Sequence, residues 1–240
     1  MTIELHNVTK RVRAGAVKVN YEGLNIRVDK GARTAFLGHK DAGLDVIVSL
    51  ICAADAPDKG SVSRTHSISW PIPDSKFLAT HLSLAANARF IARLYEQDEA
   101  AYLKKVAEMA DIGDFLNTRG TLCPKEVLSC FCFSVGACLD FDRYILTSVN
   151  VGTRDERPRF AAIVEELSQR AGILLVGGDV KSAKQFCEQA YVFDDGHATF
   201  FDDMEAAAEY FGGIASDGGG DNEDFFDSDP ELENMINTDF

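Results

Sequence analysis

Two periods of apolar and polar residues run through this chain, and each change of period marks an element. Residues 3–8 alternate apolar and polar as an edge strand does. Residues 16–19 form a second strand candidate, and residues 24–28 follow with clean period-two spacing. Asp29-Lys-Gly31 turns the chain into a short apolar run, 33–37, which reads as a buried strand. Residues 46–51 read as the apolar start of a helix. A turn at 55–60 leads to another strand, 61–69, and the proline-bearing Trp70-Pro-Ile-Pro73 closes this β-rich part.

The middle of the chain changes to helical spacing. Over residues 82–95 the apolar positions Leu84, Ala88, Ile91 and Tyr95 recur near 3.6, and 99–109 continues similarly before a break at 111–115. Residues 127–139 are apolar nearly all round and predict a buried helix. Short buried strands follow at 144–146 and 173–176, with an amphipathic helix at 158–169 between them. Residues 182–188 are helical, and 191–193 and 198–201 form a hairpin around Asp194-Asp-Gly196. The last helix is 204–211. Strands alternating with helices, an antiparallel start and a helical insertion predict an α/β fold with mixed sheets. There are no internal repeats.

Between the strand at 33–37 and the helix at 46–51 lies Gly38-His39-Lys40-Asp41-Ala42-Gly43-Leu44-Asp45. Strand, glycine turn and helix are the context of a phosphate-binding loop, G-x-x-x-x-G-K-[ST]. Its glycines turn backbone N–H groups toward phosphates, its lysine neutralises them and its hydroxyl holds Mg²⁺. Here the lysine position is Leu44, which carries no charge, and the hydroxyl position is Asp45, an extra anion. The frame is kept and its charge logic is inverted. An ordinary strand–turn–helix that needs two glycines is the competing reading of this segment alone.

Length and composition bound the rest. At 240 residues the chain suggests one large domain, or one with a small inserted lobe. No apolar run reaches the ~18 residues of a membrane span, and the N-terminus lacks the features of a signal peptide. A cytoplasmic protein is expected. The net charge of −14 is unevenly placed, since residues 214–240 contain nine Asp/Glu and no Lys/Arg. That acidic tail is expected to be disordered, with Phe225, Phe226, Leu232, Met235, Ile236 and Phe240 spaced among the acids. It suits either a solvated tail or a segment that docks a basic, apolar groove. Like charge disfavours nucleic acid and anionic lipid as its ligands. Cys52, Cys123, Cys130, Cys132, Cys138 and Cys187 include no C-x-x-C pair, so buried thiols in a reducing compartment are expected rather than a metal site.

In the order of its parts the chain resembles an ABC-transporter ATPase subunit, in detail that of the capsular polysaccharide exporters. The resemblance runs from Ile3 to about Phe211. It rests on Ile3-Glu-Leu-His-Asn-Val-Thr-Lys-Arg11, Phe36-Leu-Gly-His-Lys-Asp-Ala-Gly43, Ser69-Trp-Pro71, Asn87-Ala-Arg-Phe-Ile-Ala-Arg-Leu-Tyr95 and Asp140-Phe-Asp142. It implies an ABC nucleotide-binding-domain fold over residues 1–213. That fold has a P-loop NTPase-like core, an antiparallel β subdomain and a helical insertion at about 80–139, and here residues 214–240 follow as a tail. It also implies ATP and Mg²⁺ as cofactors and a membrane permease or a second ABC ATPase subunit, in a homodimer or heterodimer, as partner. The place it implies is peripheral, at the inner face of the cell membrane.

Matched position by position, the family's functional residues are absent. The resemblance places the adenine-stacking aromatic at Val12, the phosphate lysine and magnesium hydroxyl at Leu44 and Asp45, and the γ-phosphate-sensing glutamine at Ala79. The serine-serine-glycine signature falls at Pro124, Lys125 and Glu126. The magnesium aspartate and catalytic glutamate fall at Thr147 and Ser148, the next loop's aspartate at Thr153 and the switch histidine at Gly178. Phosphoryl transfer is positioning plus charge stabilisation, so little catalysis is left without these groups. The expectation is therefore a pseudo-ATPase acting as scaffold, adaptor or regulatory subunit, with no catalytic or metal-binding residues and a vestigial phosphate loop at 38–45. A working transport ATPase with unorthodox motifs and a repurposed binding domain remain as alternatives.

Overall fold

Two sheets organise the computed structural model, which describes residues 2–14 and 17–218. The first is antiparallel, in the order β2 (Val17–Asp29), β1 (Thr2–Ala14), β4 (Lys59–Arg64). Ile3 faces Val28, Leu5 faces Ile26 and Val8 faces Leu24 across the ladder, and all six are buried. β1 is thus the central strand, not the edge strand that its alternation suggested. Alternation reports which face is buried and says nothing about how many neighbours a strand has. The candidates at 16–19 and 24–28 merge into one long β2, Ala16 lying outside the described residues.

The second sheet runs β5 (Ile68–Ile72), β6 (Arg143–Leu146), β7 (Gly172–Gly177), β3 (Arg33–Gly38), β8 (Gln189–Asp194), β9 (His197–Phe201). β6, β7, β3 and β8 are parallel, and β9 returns antiparallel to β8. Parallel strands are covered on both faces, and β6 and β7 are buried at every position. The single strand expected at 61–69 is instead two strands in different sheets. Trp70-Pro71 lies inside β5, the last strand before the helices.

Seven α-helices connect these strands among the described residues: α1 (Leu44–Ile51), α2 (Leu84–Leu94), α3 (Glu99–Ala110), α4 (Lys125–Ala137), α5 (Arg157–Arg170), α6 (Val180–Phe186) and α7 (Met204–Gly218). Side-chain caps start four of them: Ser83 accepts from the Ala86 N–H, Asp98 from Ala101, Asp179 from Ser182 and Asp203 from Ala206. α1 stops after two turns, where Arg64 of β4 donates to the carbonyls of Leu50 and Ile51. α4 is buried nearly all round, from Leu128 to Ala137, as its composition predicts. α7 runs beyond the expected end at 211, so residues 214–218 of the expected tail are helical. The tail beyond Gly218 lies outside the described residues.

The chain divides into two compact units. Among the described residues, one holds the segments up to Pro71, Phe141–Ser148 and 164–218, and so contains the cores of both sheets. The other holds Ile72–Asp140 and Val149–Ile163, which include α2, α3 and α4 and the expected helical insertion. All six cysteines are free. Cys130, Cys132 and Cys187 are buried as expected, whereas Cys52, Cys123 and Cys138 are half-buried. Burial pushes the Cys52 thiol up to about 11 and those of Cys130 and Cys187 up to about 12. No helix among the described residues is long and apolar enough to cross a membrane.

Arg143 is a fully buried cation at the start of β6. Its guanidinium donates to the carbonyls of Asp29, Ala32 and Ile173, and burial lowers its pKa to about 10. It ties the turn before β3 to the start of β7. Space for it exists because residue 172 is glycine: a Cβ there would sit 2.9 Å from the Arg143 Cζ. Gly172→Ala should therefore destabilise the fold by about 1–3 kcal/mol, the usual cost of overpacking, read as a lower urea midpoint.

Next to it, Asp142 accepts from the Ser67 N–H at 3.0 Å and the Ser67 Oγ at 2.9 Å, and lies 3.3 Å from Lys30 Nζ. Those donors, Ser67 first, hold its carboxyl down at about 2. A carboxylate with a depressed folded pKa stabilises fully above its unfolded value, near 4, and loses that contribution as pH falls toward 2. The stability gap between the parent and Asp142→Asn should thus be present at pH 6 and close by pH 2 in urea titrations.

Candidate functional site

The glycine loop forms where its spacing places it. β3 ends at Gly38, a single 3₁₀ turn spans Lys40–Ala42, Gly43 adopts the left-handed conformation (φ 72°), and α1 starts at Leu44. Both glycines are required by geometry. Gly43 reverses the chain at a positive φ that costs other residues strain. A Cβ on Gly38 would lie 2.8 Å from the Ala42 Cβ and 3.3 Å from the Leu44 Cγ and Cδ1.

Inside that frame the side chains are apolar. Leu44 is fully buried in the hydrophobic core cluster and lies against Gly38. Ala42 packs against the same cluster. The Tyr21 hydroxyl, from β2, donates to the Ala42 carbonyl and pins the 3₁₀ turn. Burial, reinforced by the nearby charge of Asp45, pushes the Tyr21 phenol above its ordinary range, so it remains a neutral donor. The charged members of the loop, Lys40, Asp41 and Asp45, are exposed. His39 stacks on Phe211 of α7 with ring centroids 4.6 Å apart and planes 16° apart. Its Nε2 is buried without a hydrogen-bond partner.

The remaining positions separate between the two units. The unit with the loop also holds Val12, which is half-buried on β1 and packs on the core cluster. Thr147 and Ser148 follow β6 at the carboxyl edge of the parallel strands. Gly178 follows β7, where a Cβ would lie 3.6 Å from the Gly38 carbonyl oxygen and 3.9 Å from the Phe211 Cζ. So the loop, Gly178 and α7 converge at the carboxyl ends of the strands, the edge at which open α/β sheets take ligands.

In the other unit, Ala79 is held by both backbone groups. Its N–H donates to Asn87 Oδ1 at 2.8 Å, and its carbonyl accepts from Asn87 Nδ2 at 3.1 Å. Pro124 caps α4 without a side-chain bond, and Lys125 and Glu126 are exposed on its first turn. Thr153 donates through both its N–H and its Oγ1 to Glu156 Oε2, each at 2.7 Å, and these bonds lower the Glu156 carboxyl. That is the capping-box spacing T-x-x-E, legible in the sequence and not singled out there. Tyr21, Asn87 and Phe211 carry no local signal of their roles.

No family model matches the chain. It is 28% identical over 216 residues to the capsule polysaccharide export ATP-binding protein CtrD of Neisseria meningitidis serogroup B, covering 88% of this chain and 99% of that one. It is 27% identical over 212 residues to the ATP-binding protein BexA of Haemophilus influenzae, covering 87% and 97%. With the polysialic acid transport ATP-binding protein KpsT of Escherichia coli it shares 28% over 199 residues, covering 81% and 89%. Among solved structures, a dimeric post-hydrolysis state of the ATP-binding cassette MJ0796 bound to ADP and Pi aligns with TM-score 0.71 at 15% identity, covering 82% of this chain and 96% of that one. The ATP-binding subunit of an ABC transporter aligns with the same score at 18% identity, covering 98% and 99%. The chain therefore has the fold of the ABC ATPase cassettes, and over most of its length it is similar to ATP-binding proteins, among them one of capsule polysaccharide export and one of polysialic acid transport.

Proposed function

We propose that this protein is a catalytically degenerate ABC cassette, a pseudo-ATPase that serves a capsular polysaccharide exporter as scaffold, adaptor or regulatory subunit. The observation that carries this reading is the fully buried Leu44 followed by Asp45 in an otherwise well-formed glycine loop. ATP with Mg²⁺ does not suit the residues present. The position that should neutralise phosphate contributes packing to the core, and the position that should hold the metal through a hydroxyl puts a carboxylate beside a polyanion. Thr147 and Ser148, where the resemblance places the metal aspartate and the catalytic base, bring no carboxylate to the edge of the sheet.

Pairing with an intact cassette does not restore a site built on this chain's signature segment. Such a site needs the serine-serine-glycine donors, and Pro124-Lys125-Glu126 supplies instead a proline with no N–H to donate. What is left is shape: a cassette able to occupy a place beside a permease or another cassette at the inner face of the membrane. The names of CtrD (capsule polysaccharide export) and KpsT (polysialic acid transport) support the export setting. A second reading, a working ATP-binding subunit with unorthodox motifs, is favoured by the intact loop backbone and by those same names.

Calorimetric titration with ATP, in the presence and absence of Mg²⁺, separates the two. The pseudo-ATPase reading expects no Mg²⁺-dependent tightening and no saturation up to millimolar nucleotide. Saturable micromolar binding that strengthens with Mg²⁺ would establish the second.

A further inference from the structure

Helix α3 carries two apolar stripes. Tyr102, Val106 and Ala110 are buried. Ala100, Leu103 and Ala107, at the same helical spacing, instead line a surface groove of about 470 Å³, together with Leu116, Arg89 and Lys104. A surface helix ordinarily turns one apolar stripe inward, so the second stripe calls for a cover. Charge at the groove decides its kind. Arg93 donates to both Glu99 oxygens, at 2.7 and 3.1 Å, and Lys104 Nζ lies 3.8 Å from Glu108, the other carboxylate of the groove. Arg89 is left over, with no ion pair among the described residues. The occupant should therefore bring carboxylates beside apolar side chains.

The chain has such a segment outside the described residues. Asp229-Pro230-Glu231 has the cap, the first-position proline and the first-turn acid of a helix start. On helical spacing Leu232, Met235, Ile236 and Phe240 share one face, and Glu231 and Glu233 border it on either side. Other exposed apolar side chains suit this segment less: Phe200 and Tyr210 stand beside Asp202, Asp203 and Glu209 in the chain, where an acidic segment is repelled. Residues 219–228 form a link from the end of α7 that extends at most about 35 Å. A tether of that length holds the segment at an effective concentration of about millimolar, far above that of a second copy in micromolar solution.

We propose that the groove on α3 is a docking surface for the protein's own C-terminal segment. Residues 229–240 lie in it as an amphipathic helix, with the apolar face on Ala100, Leu103, Ala107 and Leu116 and the glutamates at Arg89. The mode is helix-in-groove, with apolar anchors at i, i+3 and i+4 and a charged border that fixes orientation.

Hydrogen exchange of the full chain at micromolar concentration tests it. The amides of residues 232–237 should exchange at least ~tenfold more slowly in the parent than in Leu232→Ser/Ile236→Ser, a change that leaves the groove untouched. Arg89→Glu, at an exposed position, should lose most of that protection. Adding Glu231→Arg/Glu233→Arg to it should bring the protection back, which helix formation by the segment alone would not do. Equal exchange in the parent and in Leu232→Ser/Ile236→Ser overturns the proposal. So does protection indifferent both to Arg89→Glu and to Ala107→Glu, which puts a bulky anion into the groove. Protection that disappears on about a hundredfold dilution gives the groove to the segment of a second copy and overturns the assignment to the protein's own.

Discussion

Leu44→Lys together with Asp45→Ser should raise the affinity for ATP by about a hundredfold or more over the parent, while leaving hydrolysis undetectable. The pair changes the charge of the loop by two units next to a triphosphate. A unit charge pair ~4 Å apart near a protein surface interacts by about 4 kcal/mol, and each 1.4 kcal/mol is a factor of ten. The burial of Leu44 adds a second expectation. Without ligand, the new ammonium must either lose water beside Gly38 and the core cluster or bend out of it, and both are costly. The free variant should melt several degrees below the parent and recover much of that loss at saturating ATP, since a ligand that binds only the folded state stabilises it. Differential scanning fluorimetry with and without ATP reads both effects. A variant that melts like the parent, and binds no better, would show that the loop is not a phosphate cradle.

The purified parent protein should release no phosphate from Mg²⁺-ATP above the buffer blank. Removing one electrostatic group from such a site costs ~10²–10³ in rate, and groups that act as a unit do not add when lost together. Here the lysine, the metal aspartate, the base and the switch histidine are all missing at the matched positions, so no single survivor is left to supply residual turnover. A malachite-green assay sensitive to one turnover per hour suffices. Turnover that disappears with Lys40→Ala would reverse the conclusion, since the exposed Lys40 is the one loop residue with the charge for the task.

How much of this was visible in the sequence depends on whether the deciding contact was local. The glycine loop was visible because its spacing is itself the geometry: Gly38 and Gly43 stand where a Cβ or a negative φ would break the turn. The buried strands β3, β6 and β7 were visible because apolar runs have no other use in a mixed sheet. The central place of β1 was not, because a strand's neighbours lie elsewhere in the chain. Residues 61–69 read as one strand because nothing local shows that Arg64 and Ile68 belong to different sheets. Arg143, just before the strand read at 144–146, is fully buried on three carbonyls supplied by residues that only the fold brings around it. At the site, the loss of charge at Leu44 was legible and its burial against Gly38 was not. Phe211 lies 172 positions after His39, and no pattern links them.

The position of β3 between β7 and β8 has a consequence for synthesis. Arg33 pairs with Ile173, 140 residues later, and Thr34 with Gln189. At about 5–20 residues per second, the nascent chain waits roughly 7–28 s between making β3 and making its first partner. During that time an apolar strand with both edges unpaired is outside the ribosome, while the antiparallel sheet of β1, β2 and β4 is already complete in sequence. That small sheet, with α1 beside it, is the first native structure the early chain can build. The interval is where a ribosome-associated holdase would have most to do, and where slowing translation would favour aggregation over folding.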